Sequence, residues 1–261
     1  VYSTPDTSAW NANDWIEKPA CGIWLGRHGK AHIARNNYVL NTRFGINLCA
    51  SECVAEGNVI DSFSGDGIRA TCDGQVVRHN VIKNIYVSAE DGDANHDDGI
   101  QVFLFGKGHG LVRDVTISEN LIVACTRDDL PFRAPMQGIG CFDGPLSGIN
   151  VCGNVVLNNT WHGLSLYDAQ GCTISNNVVF SRWTNREQPW VMLGAKQKVA
   201  HGNTVRDNRA RAFNLKDDPD VKAESNGPVT EVEFTKRQTE LLARINARYG
   251  ATHPVANRPR L

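Results

Sequence analysis

The 261-residue chain has no run of the ~18 consecutive apolar residues that a membrane span requires, so no helical span is expected within it. It lacks any stretch in which Lys and Arg alternate with aromatic residues, and its net charge is -1, which argues against a general nucleic-acid binder. Eight cysteines are present (Cys21, Cys49, Cys53, Cys72, Cys125, Cys141, Cys152 and Cys172), but no two form a CxxC pair, and a clustered zinc site is not expected. Cys53 and Cys172 each stand five residues before a recurring asparagine, as small apolar core thiols would. A disulfide such as Cys49 with Cys53 stays open, and cysteine usage does not decide the compartment. The chain starts at Val1 rather than Met and reads as a processed or trimmed product, so the lack of an export signal carries no information.

What the chain does have is a repeat. A Gly-led tetrad recurs as Gly22-Ile-Trp-Leu, Gly45-Ile-Asn-Leu, Gly67-Ile-Arg-Ala, Gly99-Ile-Gln-Val, Gly138-Ile-Gly-Cys and Gly163-Leu-Ser-Leu. Interleaved with it is an asparagine followed by an apolar alternation, at Asn37, Asn58, Asn80, Asn120, Asn154, Asn177 and Asn203. Where no loop intervenes these asparagines are 21 (37 to 58), 22 (58 to 80) and 23 (154 to 177) residues apart. A fixed period of that length, with short strands rich in Val and Ile, predicts an all-β solenoid of parallel strands. No coil can bury its inner face alone. Successive coils therefore stack their Ile, Val and Leu residues into one column, and the asparagines can form an amide ladder.

Coils are expected at about 21–43, 44–65, 66–97, 98–136, 137–161, 162–188 and 189–210, some seven in all. Residues 1–20, with Trp10 and Trp15, carry no coil signature and are expected to cover the open first coil or to be the remnant of earlier ones. Residues 211–261 read as a charged, Pro- and Gly-punctuated linker and a capping helix. Thr235-Lys-Arg-Gln238 resembles a capping box, Leu241, Leu242, Ile245 and Tyr249 follow at helical spacing, and Gly250 is a stop. That helix is expected to close the far end of the column.

The spacing breaks where function is expected. Regular coils take 8 or 9 residues from asparagine to the next tetrad glycine, yet Asn80 to Gly99 takes 19 and Asn120 to Gly138 takes 18. Two long loops thus enter one corner on successive coils, a third excess leaves through Phe105–Gly110, and a smaller one spans Trp183 to Trp190. They would wall a groove over one strand column. The residue before each glycine is Cys21, Phe44, Asp66, Asp98, Gln137 and His162 in turn, so with coils ~4.8 Å apart Asp98, Gln137 and His162 make a short vertical row. Two residues after the glycine come Trp24, Asn47, Arg69, Gln101, Gly140 and Ser165, with Asp143, Tyr167 and Asp168 at the strand ends.

In these tetrads and asparagine motifs, over residues 21–210, the chain resembles the right-handed parallel β-helix superfamily of pectate lyases, polygalacturonases, alginate lyases and epimerases, and phage tailspike depolymerases. Asn95-His-Asp-Asp98-Gly is similar to the Asn-Thr-Asp-Gly of polygalacturonases, and Trp161-His162-Gly to their Gly-His-Gly. The paired aspartates those hydrolases carry on the intervening coil are replaced by Gln137. His96-Asp97 is similar to part of the Asp-Pro-His-Asp of alginate epimerases.

The resemblance implies an enzyme acting on an acidic, uronate-containing polysaccharide, secreted, periplasmic or virion-associated, with no organic cofactor. The oligomeric state is open, with a trimer suggested by the tailspikes. By β-elimination, His162 would be the base, Arg133 or Lys107 would meet the substrate carboxylate, and Tyr167 would be the acid. Asp98, Asp97 and His96 would complete the catalytic set, with Gln101, Gln137, Asp143 and Trp161 binding substrate. Glu90, Asp91 and Asp93 offer hard oxygen ligands for Ca2+. By hydrolysis, Asp98 with Asp97 or Asp143 would flank the bond as acid and base. The non-enzymatic alternative is a glycan-binding or phage-fibre module using the solenoid as a spacer.

Overall fold

The computed structural model describes residues 1–87, 97–104, 109–183, 188–197 and 200–249. Among the described residues the coils build three walls, of eight, eight and six strands, with a short fourth sheet of Val112–Arg113, Leu146–Ser147 and Ala169–Gln170, and every sheet pairs parallel from coil to coil. The front wall stacks, in order, Ile23–Leu25, Ile46–Leu48, Ile68–Ala70, Asp98–Phe103, Gln137–Asp143, His162–Tyr167, Trp190–Gly194 and Ala212–Asn214. All six tetrads lie in it, with Ile46, Ile68, Ile100, Ile139, Leu164 and Val191 fully buried in one column. The tetrad glycines turn inward at the corner. A Cβ on Gly99 would meet Ile122 at 2.5 Å and the Gly138 carbonyl at 2.7 Å, so no side chain fits there.

The asparagine ladder forms between the second and third walls. Asn37, Asn58, Asn80, Asn120, Asn154, Asn177, Asn208 and Asn226 stack in turn. Each Oδ1 accepts both the backbone N–H and the Nδ2–H of the asparagine before it, at 2.9 to 3.0 Å. From Asn58 to Asn208 each Nδ2 also donates to a carbonyl of the second-wall strand on the preceding coil, such as Ala55 or Val77. The residue before every ladder asparagine is left-handed, and only two of the eight are glycine, so the ladder holds six strained bends such as His79 (φ 56°) and Glu119 (φ 51°). Asn203 is not a member. It occupies the preceding turn, where it accepts from Cys172 N–H and donates to Asp218, and Asn208 takes the ladder position instead.

All eight cysteines are free thiols, so the Cys49–Cys53 disulfide left open above does not form, and Cys53 and Cys172 are buried in the core. The stacking runs past residue 210, since Ala212–Asn214 and Lys222–Glu224 still pair in the front and second walls. In the first twenty residues Val1 and Tyr2 pair along the Tyr38–Thr42 strand. Beyond them α1 (Ala12–Glu17) buries Trp15 flat against Tyr86, at 4.2 Å between centroids, on the third coil.

The C-terminal helix, α2 (Glu231–Tyr249), starts one turn earlier than its sequence signal. Thr230 caps it, its Oγ1 accepting from Glu233 N–H at 3.2 Å. It does not close the far end of the column. It runs back along the outer side of the third wall, from Phe180, which stacks on Phe234, to His79, which bonds the Tyr249 hydroxyl at 3.0 Å. The reason lies in the wall: Val59, Val81, Leu121, Val155 and Val178 point outward, and Phe234, Leu241 and Ile245 cover them. Burying each of those three is worth about 1.5–3 kcal/mol.

Candidate active site

The front wall brings together residues scattered over more than a hundred positions of chain. Asp98 pairs with Gln137 in register, and His162 stands in the next strand, two residues before Leu164, which pairs with Ile139. Along the parallel column Trp24, Asn47, Arg69, Gln101, Gly140, Ser165 and Met192 are successive register partners. Two bulges interrupt this register. Gln101 pairs with Gly140 but Phe103 with Asp143, and His162 pairs with Trp190 but Leu164 with Val191. Bulges re-aim side chains beside active sites, and here the first one turns Phe142 over Gly140.

Asp98 is fully buried, and neither carboxylate oxygen has a hydrogen-bond partner among the described residues. A Cβ at Gly140 would lie 2.1 Å from Asp98 Oδ1 and 2.3 Å from Phe142 Cε2, so the missing side chain is what admits the carboxyl and the ring together. Burial holds the Asp98 carboxyl well above the usual carboxylate range, the charges of Asp66, Asp97 and Asp143 push it further, and Arg69 opposes them. Its neighbour on the previous coil behaves differently. Asp66 Oδ1 accepts the Asp98 backbone N–H at 2.9 Å and Oδ2 is ion-paired with Arg69, whose guanidinium lies 3.5 Å over the Phe44 ring. Burial raises Asp66 as well, against the pull of Arg69.

His162 is half-buried, with Nδ1 2.8 Å from Ser165 Oγ and 3.4 Å from the Trp190 indole N–H. Trp190 and Phe142 meet the ring edge-on at 5.4 and 5.0 Å, which fixes its plane. The serine hydroxyl can donate or accept, and the indole contact is at the long end of hydrogen bonding, so either ring nitrogen can carry the proton. Trp161 is 46% exposed and stacks on Trp190 at 6.1 Å. Tyr167 donates its hydroxyl to Met192 Sδ at 3.7 Å, and burial raises its pKa. Gln101 is buried, and Gln137 Oε1 is shielded without a partner among the described residues.

Asp143 lies exposed at the strand end, 3.5 Å from Lys196 Nζ, which also sits over the Tyr167 ring at 5.3 Å. Lys196 is therefore a second cation at the site, in addition to Arg69. Arg133 is held elsewhere: it bonds Asp128, which also takes Arg182 and the Trp183 indole, and that knot ties the second long loop to the Trp183 loop. The first two loops do share a corner, through the Tyr86–Arg133 bridge and the Val87 N–H donated to Phe132 at 2.7 Å. Asp168 is a turn residue, accepting from the backbone of Lys196 and Gln197.

His96, Lys107, Glu90, Asp91 and Asp93 lie outside the described residues. Among the described residues no group of three His, Cys, Asp or Glu is arranged to hold a metal ion. Asp66, Arg69, Phe142 and Lys196 are the site residues that motif reasoning did not select. Asp66 and Arg69 occupy the tetrad positions of Asp98 and Gln101 one coil earlier, a signal present in the sequence. The others depend on bulges and turns, which leave none.

The family model described as right handed beta helix region matches residues 16–209. Among curated proteins none matches the sequence. Four solved chains match, and one of them, a protein named glycoside hydrolase, is 14% identical with a TM-score of 0.47. That match covers 82% of this chain and 41% of the other, so this chain spans well under half of its length.

Proposed function

We propose, from the premise that this chain belongs to the right-handed β-helix family, that it is a carbohydrate-active enzyme cleaving a uronate-containing polysaccharide by β-elimination. The observation that carries this is the pairing, on one wall, of a buried carboxyl that favours its protonated form with an oriented imidazole two coils away. In the reaction His162 removes the proton at C5 of a uronate. The freed electron pair forms the C4–C5 double bond, the C4–O bond breaks, and Asp98 gives its proton to the departing oxygen. Asp98 replaces Tyr167 in that role, because the tyrosine hydroxyl is turned to Met192. Lys196, with the Gln137 amide, meets the substrate carboxylate and so acidifies the C5 proton. The buried Asp98 is reached by displacement of the Phe142 ring, the described side chain that shares its place over Gly140.

Hydrolysis is the second reading, favoured by one observation: the Asp143 charge reaches Asp98, so two carboxyls share the site. Incubation with galacturonan and alginate separates the readings. Elimination gives a product absorbing in the ultraviolet through its new double bond, hydrolysis gives reducing ends without it, and neither signal sinks both enzymatic readings.

The Asp66–Arg69 pair sets a pH test. If Asp98 is the acid, activity falls as pH rises through its pKa. Removing the negative charge by Asp66→Asn leaves Arg69 unopposed, lowers that pKa, and moves the descending limb to lower pH. Arg69→Met leaves both carboxyls facing each other and moves the limb to higher pH. Shifts of the same sign in the pH dependence of kcat/KM would show that another group titrates.

A further inference from the structure

The front wall does not begin at the catalytic row. Its outward column starts at Trp24, which is 53% exposed while Ile23 and Leu25 on either side pack against the core. Trp24 is in register, through Asn47 and Arg69, with Gln101 beside Asp98. Its indole lies along its own strand over Gly26, where a Cβ would stand 3.6 Å from the ring. That direction leads to the exposed turn carrying Arg27 and Lys30. Three rungs separate Trp24 from the Asp98 strand, ~14 Å at the spacing of parallel strands, about three sugar units.

Charge sets this first coil apart. Between Glu17 and Glu52 the chain has no Asp or Glu, but it has Lys18, Arg27, Lys30, Arg35 and Arg43. Glu56 on the second coil answers Arg35, and Glu52 meets Lys30 at 3.3 Å in a surface pair whose lysine side chain is 70% exposed. Such a pair is weak and screened, and leaves Lys30 available to another anion. An aromatic face beside cations is what an acidic pyranose requires: the indole takes the C–H face of the ring and the cations take its carboxylate.

We propose that Trp24, with Arg27 and Lys30 of the following turn, forms a distal subsite that binds an acidic sugar unit of an oligosaccharide lying along the front wall. It rests on the reading of this wall as an acidic-polysaccharide site, and it implies a substrate long enough to reach from the first coil to His162. The subsite contributes affinity for long chains and takes no part in bond breaking.

The test uses Asp98→Asn as the parent, to stop turnover, and calorimetric titration with galacturonate and alginate oligosaccharides of two and six units. Trp24→Ala is expected to weaken hexasaccharide binding about tenfold and leave the disaccharide unchanged, with the thermal midpoint unaltered. The double change Arg27→Gln, Lys30→Gln is expected to weaken the hexauronate but not its carboxyl-reduced, neutral counterpart. Equal hexasaccharide affinity in Trp24→Ala and parent overturns the subsite, as does an equal loss for both lengths. A dimer that Trp24→Ala dissociates in sedimentation, with oligosaccharide binding unchanged, also overturns it and assigns the face to a second copy of the chain. Failure of the parent to bind any uronate overturns the acidic-polysaccharide reading and the subsite with it, an outcome distinct from the other three.

Discussion

Asp98→Asn is expected to lower kcat about a thousandfold while the protein stays at least as stable at neutral pH. Asparagine matches aspartate in shape, so the clearance at Gly140 is kept, but it has no proton to give the departing oxygen. The stability half follows from linkage. A carboxyl whose pKa is raised on folding binds its proton more tightly in the native state than in the unfolded chain. Stability is then fully present below the unfolded pKa and falls as pH rises from that value through the folded one. In the wild type that fall spans the range from ordinary carboxylate titration up to the raised value. Asp98→Asn removes it, so thermal midpoints of the two proteins should converge at low pH and separate in favour of the variant as pH rises. Activity within tenfold of wild type would remove Asp98 from the acid role. Parallel pH–stability curves would show that its burial is not what the fold is charged against.

The three-walled column was legible because two independent signals carry it. Gly-led tetrads mark the corner where a Cβ does not fit, and asparagines mark the turn where an amide can bond above and below. The position of α2 was not read, although its cause is written in the third wall. Val59-Ile60, Val81-Ile82 and Val178-Val179 are apolar at both successive positions, the pattern of a strand covered on both faces. That doubling separates a wall that needs a helix from one that faces solvent. Asn203 misled because the preceding turn also places an asparagine before an alternating strand, and only the bonding partners distinguish the two.

The candidate site was legible where it follows the tetrad and illegible where the register slips. Asp98, Gln137 and His162 follow from counting back one residue from each glycine, and they share a wall. Phe142 arrives through a one-residue bulge, which moves a side chain without altering the motif around it. Lys196 reaches Asp143 from a turn 53 residues later in the chain. Arg133 looked free in the sequence because Asp128, five residues before it, gives no sign that Arg182 and Trp183 converge on the same carboxylate.

The largest loss of stability is expected from the middle of the ladder. Asn120 is fully buried and joins three coils: its Oδ1 accepts two donors from Asn80, and its Nδ2 donates to Asn154 Oδ1 and the Val77 carbonyl. Asn120→Ala strips the acceptor from a buried backbone N–H and a buried amide, and strips a donor from two carbonyl oxygens. Each orphaned group costs about 1–3 kcal/mol, and with partial relaxation the variant should lose roughly 3–5 kcal/mol. Asn120→Asp should do no better, because a carboxylate keeps the acceptors but loses both donors and buries a charge. Asn226, the last rung, also accepts two donors from Asn208, but it is half-buried at the end of the column where water can replace the lost acceptor, so Asn226→Ala should cost less, about 1–2 kcal/mol. In urea titrations the midpoint should therefore fall steeply for the central rung and little for the terminal one. In a solenoid each coil is held chiefly by its neighbours, so a broken central rung divides the column, and a second unfolding step or a lowered m-value should accompany the loss. A cost for Asn120→Ala no greater than that for Asn226→Ala would mean that the apolar column alone carries the coupling between coils, with the ladder following its geometry.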